Sequence, residues 1–585
     1  MGRKFLAFTV LFVILVLASC NTSTNLPDTA VPATAVVNNP ATEPETAVPP
    51  ASPTADIPPT NTVPPSPVPT DTAVPPQPDL AIQNGDVFLY PVPNVYAGDR
   101  VTFQILAHVP PNVEPQSVTV HVLVDYQDVA EGTLSARNLA GDAVGLFEWA
   151  WDTTDETGEH LVHVILDRYD TITVGDENRD NNQVELNVTV LDPLTLAPNE
   201  RNATWVTAET NCCTVHVVSG TAAYRDLPEL LVQVETAVQQ ATLQLEEELS
   251  RKIEVYLIDR VIGQGGYAGN AIVVSYLDRQ YASQGFDQVL IHEAVHLIDR
   301  QFAPERITFM AEGLAVWGSG GHYKPEDIDQ RAAALVVLNQ YVPLADLIDN
   351  FYPVQHEIGY LEAAGFVNYL IDTYGWPLFK QFYADVTAQD ATTMSGAVDL
   401  NLQQYFGITL AQAEADWLTY LAALPEDRDV LIDLQTTIRY YNVMRRYQRF
   451  YDPTAYFLTA WLPYPGALRT DGNPADLTRH PQDEINVTLE VMLQAADTAL
   501  RAGDYNKANV LLDSVIRVLD NDGIFIDPLA ASHLNLVRLL NSEGYETQSV
   551  VLEGDRAFVE ASTANTAVLT QLTLTLSGQN WILSN

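Results

Sequence analysis

Hydrophobic and polar positions change their spacing several times along the chain, and each change marks a new kind of element. Between residues 79 and 192 short runs alternate, as in Val101-Thr-Phe-Gln-Ile-Leu-Ala-His108, Val118-Thr-Val-His-Val-Leu-Val124 and His160-Leu-Val-His-Val-Ile-Leu166, with Gly, Pro and Asp between them. A period of two with turns at this interval predicts a β-sandwich. From about 200 to 425 the pattern predicts an α+β unit. Strands are expected over 215–218, 253–258 and 271–275, with a long helix over 230–249 between the first two and nearly continuous helical spacing afterwards. Helical spacing continues through 426–548. Alternation returns over 549–585, in Leu569-Thr-Gln-Leu-Thr-Leu-Thr-Leu576 and Trp581-Ile-Leu583, and predicts a small terminal sheet. The expected fold is multidomain: a β-sandwich, an α+β domain, a helical C-terminal lobe and a small β region.

The first 78 residues fit none of these patterns. Arg3 and Lys4 precede an apolar run over 5–17, which has the length of a secretion signal and falls short of the roughly 20 residues of a membrane span. The run ends in Leu17-Ala18-Ser19-Cys20, which resembles the bacterial lipobox. That resemblance implies cleavage before Cys20, diacylation of its thiol and a place in the cell envelope, with the lipid as the only membrane contact; an ordinary cleaved signal or an uncleaved anchor helix is the alternative. Residues 21–78 are built from Pro, Thr, Ala and Ser, with repeats of Thr-Ala-Val-Pro. Too few large apolar groups are present to bury, so an extended spacer is expected.

Charge narrows the partners. With 75 acidic against 29 basic residues the net charge is -46, which repels nucleic acid and anionic lipid. Beyond Cys20 the cysteines are the adjacent pair Cys212 and Cys213. Neighbours cannot cross-link distant segments, and no CxxC accompanies them, so they are expected as small buried groups in a strand.

The segment Val289-Leu-Ile-His-Glu-Ala-Val-His-Leu-Ile-Asp-Arg300 carries the chemistry. Two histidines four apart on a helix point the same way, so His292 and His296 can reach one ion while Glu293 sits beside it. His-Glu-x-x-His arises by chance in a chain this long about once in a hundred, and the apolar flanks at helical spacing add to its weight. Zinc needs a third protein ligand and an open position. After Pro304 a second helix is expected, and it presents Glu312 in Ala311-Glu-Gly-Leu-Ala315 among Met310, Leu314 and Trp317. An unpaired carboxylate in such company is costly, which favours Glu312 as the third ligand.

Two resemblances extend this reading. Residues 79–192 resemble the CARDB family of Ig-like bacterial surface domains in Pro78-Asp79-Leu80, Ala97-Gly98-Asp99, Phe147-Glu-Trp149 and Glu177-Asn-Arg-Asp-Asn-Asn182. The Asn/Asp-rich turn at 176–182 is read as turn chemistry, with calcium as the alternative. Residues 200–425 resemble the peptidase MA-like gluzincins in Ser219-Gly-Thr-Ala-Ala-Tyr-Arg-Asp226, His292-Glu-Ala-Val-His296, Ala311-Glu-Gly-Leu-Ala315 and Tyr360-Leu-Glu-Ala-Ala-Gly-Phe-Val-Asn-Tyr-Leu-Ile-Asp-Thr-Tyr-Gly375. This resemblance implies a Zn²⁺ peptidase acting on a protein or peptide, with His292, His296 and Glu312 as ligands and Glu293 as general base.

Gluzincins also supply a Tyr or His to the developing oxyanion. Tyr360 is the candidate, followed by His356 and His322, the last expected in a mobile loop at the cleft. Gly266-Tyr-Ala-Gly-Asn270 distantly resembles the edge strand of gluzincin aminopeptidases, but Gly269 stands where a glutamate would hold a free amino terminus, so an endopeptidase is expected. Ala495-Ala-Asp-Thr-Ala-Leu-Arg-Ala-Gly-Asp-Tyr-Asn-Lys-Ala508 resembles one tetratricopeptide hairpin. The competing reading is a surface adhesin that keeps an inactive peptidase fold.

Overall fold

The computed structural model describes residues 79–259, 265–282, 285–462, 464–471, 479–563, 566–578 and 580–584. The expected signal, Cys20 and the Pro/Thr-rich spacer lie outside them. The alternating runs form two facing sheets. One places Val87–Tyr90, Arg100–Ala107, Ala143–Asp152 and Ala136–Arg137 side by side; the other orders Val95–Tyr96, Gln183–Leu191, Gly158–Leu166, Thr119–Val124 and Gln127–Thr133. Val101, Phe103 and Ile105 of the first sheet meet Val120, Val122, Val162 and Val164 of the second over Trp151.

The Asn/Asp-rich turn is fastened from both ends. Asp79 accepts hydrogen bonds from Glu177 N (2.7 Å), Asn178 N (3.3 Å) and Asn181 Nδ2 (3.1 Å), while Asn182 Nδ2 donates to both oxygens of Asp176 at 2.9 and 3.0 Å. These carboxylates are spent on fixing the turn, and no cluster of three metal-binding groups forms there among the described residues.

A second sheet system follows, with strands in the order Trp205–Glu209, Cys213–Val218, Ile253–Ile258, Ile272–Ser275 and Gly266–Ala268. The second, third and fourth pair in parallel and both outer strands run antiparallel. A parallel pair needs a crossover, and Leu227–Leu245 supplies it, burying Leu230, Val234, Ala237, Val238, Ala241 and Leu245 at helical spacing. This helix stops short of the expected residue 249, because Glu246 takes a left-handed conformation (φ 52°) and turns the chain toward the next strand. Cys212 and Cys213, expected as small buried groups in a strand, are joined to each other by a disulfide; Cys213 is buried at the start of its strand. As expected, the pair ties no distant segments together.

The rest of this unit is helical, and the helices Phe286–Asp299 and Thr308–Ser319 share its core with Phe309, Leu314, Phe366 and Trp417. Beyond 425 the helix Arg428–Tyr451 packs Tyr440, Tyr441, Met444 and Tyr447 against Leu489, Met492 and Leu493 of Glu484–Arg501. Glu484–Arg501 and Tyr505–Leu519 make the expected hairpin, and Pro528–Ser542 follows. The terminal sheet is an antiparallel meander of Tyr545–Glu553, Arg556–Thr563, Thr566–Ser577 and Asn580–Leu583. It begins at Tyr545 rather than 549, since the polar start Tyr-Glu-Thr-Gln masks the alternation.

Buried ion pairs join these parts. Arg479 holds Asp99 of the sandwich at 2.7 and 3.1 Å. Arg331 reaches Glu326 (2.6 Å), Glu357 (3.1 Å) and Asp433 (2.6 Å), which ties the glutamate-bearing half of the α+β unit to the helix Arg428–Tyr451. Removing one member of such a set strands a buried charge, at a usual cost of about 3–5 kcal/mol.

Candidate metal centre

The helix Phe286–Asp299 is buried because Val289, Leu290, Ile291, Ala294, Val295 and Ile298 cover most of its circumference. That burial fixes its rotation, and the two histidines emerge together with ring centroids 4.7 Å apart. The chain then reverses through Arg300–Ile307 and returns as Thr308–Ser319. Gly313 lets this helix lie against the helix His356–Tyr374: a Cβ there would stand 2.6 Å from the Ala363 carbonyl oxygen. Glu312, the residue before it, is thereby held over the histidines. His292 Nε2 lies 3.2 Å and His296 Nε2 3.1 Å from Glu312 Oε2.

These three donors lie within 4.8 Å of one another, and no other group of three does so among the described residues. Two imidazole nitrogens and a carboxylate oxygen converging on one point are the donor set of a catalytic zinc site with an open fourth position. Glu293 offers a further sign of fit. Its Oε2 is buried and has no hydrogen-bond partner among the described residues, so one carboxylate oxygen is left for a reactant.

Burial pushes the Glu293 carboxyl up to about 7. Burial acts the same way on Glu312, but the two imidazoles outweigh it and hold that carboxyl well below its usual range. His296 is pulled down to about 4 by burial, whereas His292, under the same burial, is raised by its bond to Glu312 and the charge of Glu293. The site therefore pairs an ionised ligand carboxylate with a second carboxylate poised near neutrality, a division set by surroundings alone.

Tyr352 is a member that the sequence pattern does not reveal. Its hydroxyl donates to Glu312 Oε1 at 3.1 Å, leaving Oε2 toward the histidines. Tyr352 stands in the link Phe351–Gln355, where no period singles it out.

Tyr360 is brought to the centre. Its ring is buried 6.1 Å from that of His292, and it lines a cavity of about 50 Å³ with His292, Glu293, Gly266, His356, Arg445 and Phe457. His356 is part of this lining. His322 is not in a mobile loop: it is buried, bonds Glu357 Oε2 at 2.5 Å and stacks behind Tyr360 at 4.8 Å. Glu357, His356, Tyr360 and Tyr441 surround its ring, so it backs the aromatic group and is not part of the cavity lining.

The edge strand Gly266–Ala268 borders the same cavity. A Cβ on Gly266 would stand 2.8 Å from Val289 Cγ1 and 3.1 Å from Glu293 Cγ, so only glycine brings the strand this close to the motif helix. Arg300 clamps its far end by donating to the carbonyls of Ala268 (2.8 Å) and Gly269 (2.6 Å). A larger polar cavity of about 430 Å³, lined in part by Glu200, Asp259, Asp278 and Arg479, contains none of these residues.

No protein-family model matches the chain, and no curated protein matches it. Among solved structures it is similar to an M1 zinc metallopeptidase from Deinococcus radiodurans, at 14% identity and a TM-score of 0.28 over 60% of this chain and 96% of that one. It is also similar to native yeast LTA4 hydrolase, at 12% identity and a TM-score of 0.30 over 80% and 87% of the two chains. A CARDB domain from Pyrococcus furiosus, determined with di-metal ions, matches at 17% identity and a TM-score of 0.16 over 20% of this chain and 90% of that one.

Proposed function

We propose that the chain is a zinc-dependent peptidase, an endopeptidase held at a bacterial cell surface by a lipid on Cys20. The observation that carries the proposal is the convergence of His292, His296 and Glu312 beside a buried carboxylate with an unpaired oxygen. In this reading the three residues are the metal ligands. Zinc bound there supplies Lewis acidity for a scissile carbonyl and acidifies a water. Glu293 takes the proton of the attacking water and delivers it to the leaving nitrogen. Tyr360 stands on the cavity wall as the hydroxyl donor for the charge that grows on the carbonyl oxygen, and Tyr352 orients Glu312.

The open side of Gly266–Ala268 suits a substrate backbone lying alongside as an added strand. Gly269 offers no carboxylate to a free amino terminus, which supports cleavage within a chain. No helix among the described residues is long and apolar enough to cross a membrane; attachment in this reading is through Cys20 alone.

The purified chain is expected to hold about one zinc, as one three-ligand site demands, and a chelator should abolish its cleavage of an unfolded protein. Tight zinc binding with no cleavage across a broad peptide library would instead support a surface binding protein. In cells, Cys20→Ser should move the protein out of the membrane fraction or leave it unprocessed. Unchanged processing and attachment would rule out the lipid anchor.

A further inference from the structure

The helix Arg428–Tyr451 carries a cation beside the metal centre, and no carboxylate among the described residues pairs with it. Arg445 lines the small cavity with His292, Glu293 and Tyr360. Its Nη1 donates to the neutral Gln448 Oε1 at 2.8 Å, and its Nε is buried with no hydrogen-bond partner among the described residues. The guanidinium carbon lies 5.1 Å from the ring centre of Phe457.

Three buried arginines are satisfied by carboxylates. Arg279 pairs with Glu490 at 2.6 Å, Arg479 with Asp99 at 2.7 Å, and Arg331 with three carboxylates. Arg300, which likewise pairs with no carboxylate among the described residues, spends its donors on the carbonyls of Ala268 and Gly269, whereas Arg445 meets only Gln448 and the Phe457 ring. Its neighbours are aromatic, and the attraction of a ring face offsets only part of the cost of taking a guanidinium out of water. A planar fork of donors opening on a cavity is suited to one ligand chemistry above others, a carboxylate.

We propose that Arg445 binds a carboxylate of the substrate and thereby gives the site a preference for peptides that present one close to the scissile bond. The proposal deepens the peptidase reading of the same centre and rests on it. A space of about 50 Å³ has room for a carboxylate group. That carboxylate can be the C-terminal group of a peptide or the side chain of Asp or Glu. Arg445 acts here as a specificity residue, separate from the proton transfer assigned to Glu293.

The test is binding by calorimetry to the full chain in EDTA, so that no metal contributes to any preference for an anion. Three probes are used: acetyl-Ala-Ala-Ala with a free carboxylate, the same peptide as its amide, and acetyl-Ala-Glu-Ala amide. At least one carboxylate probe should bind about 10- to 100-fold more tightly than the neutral amide, the usual worth of a charge-assisted pair. Which one does so identifies the source of the carboxylate. The advantage should vanish in Arg445→Met and survive in part in Arg445→Lys, with thermal unfolding of both variants checked against the parent.

Equal binding of all three probes by the unmodified chain overturns the proposal, and this comparison needs no variant. Persistence of the advantage in a folded Arg445→Met overturns it as well. Failure of the peptidase reading looks different: the carboxylate preference remains, and no peptide is cleaved when zinc is restored.

Discussion

The floor and the roof of the cavity are built in opposite ways. The floor comes from two helices close in sequence, Phe286–Asp299 and Thr308–Ser319, and holds every residue assigned to metal and proton chemistry. The roof is assembled from distant pieces: Tyr352 to Tyr360 on one side, Tyr441, Arg445 and Phe457 on the other. The floor is fixed by apolar burial and a close helix crossing at Gly313. The roof is fixed by ion pairs and aromatic stacking, with Arg331 joining Glu357 at the start of one piece to Asp433 on the other. In the proposed reading reactivity belongs to the local part, and selection among substrates to the part assembled by the tertiary arrangement.

Substitutions should separate the two. On the floor, His292→Ala, His296→Ala or Glu312→Ala removes one of three donors, and both zinc content and cleavage should fall to background when measured on the same preparation. A Glu312→Ala chain that keeps full zinc and turnover would move the third ligand elsewhere. On the roof, Tyr360→Phe should leave zinc content unchanged and lower kcat by about 10² to 10³, as loss of one oxyanion donor does. An unaltered kcat would reduce Tyr360 to packing. Tyr352→Phe crosses the boundary, since it touches a ligand from the roof. Zinc affinity should weaken about 10- to 100-fold in a chelator competition, the range for a lost ligand-orienting bond. The mildest effect on the metal site is expected from Asp433→Asn, which keeps the shape of the Arg331 network and removes one charge. The melting temperature should drop with zinc stoichiometry intact.

The same contrast explains what was legible in the sequence. His292, Glu293 and His296 declare themselves because a helix converts a spacing of four into one face, and Glu312 follows from its apolar neighbours. The sandwich and the terminal sheet are visible through alternation alone. Tyr352 and Arg445 leave no such trace: one sits in an irregular link, the other on a long helix whose arginines look alike until the lobe is docked. His322 was misplaced because Gly318-Ser-Gly-Gly321 reads as a loop, while Glu357, thirty-five residues on, is what buries and binds it. The overlong helix to 249 has a similar cause. Glu246-Glu-Glu-Leu249 are good helix formers, and only the need to reach the strand Ile253–Ile258 overrides them.

The central claim is that one carboxylate of the site holds metal while its neighbour moves a proton, and Glu293→Gln tests it most directly. The amide keeps the size of the side chain and leaves all three ligands in place but accepts no proton. Zinc per chain, read by mass spectrometry, should equal that of the parent, while single-turnover cleavage of a peptide slows by about 10² to 10⁴. Full turnover in this variant, or loss of its zinc, would contradict the assignment.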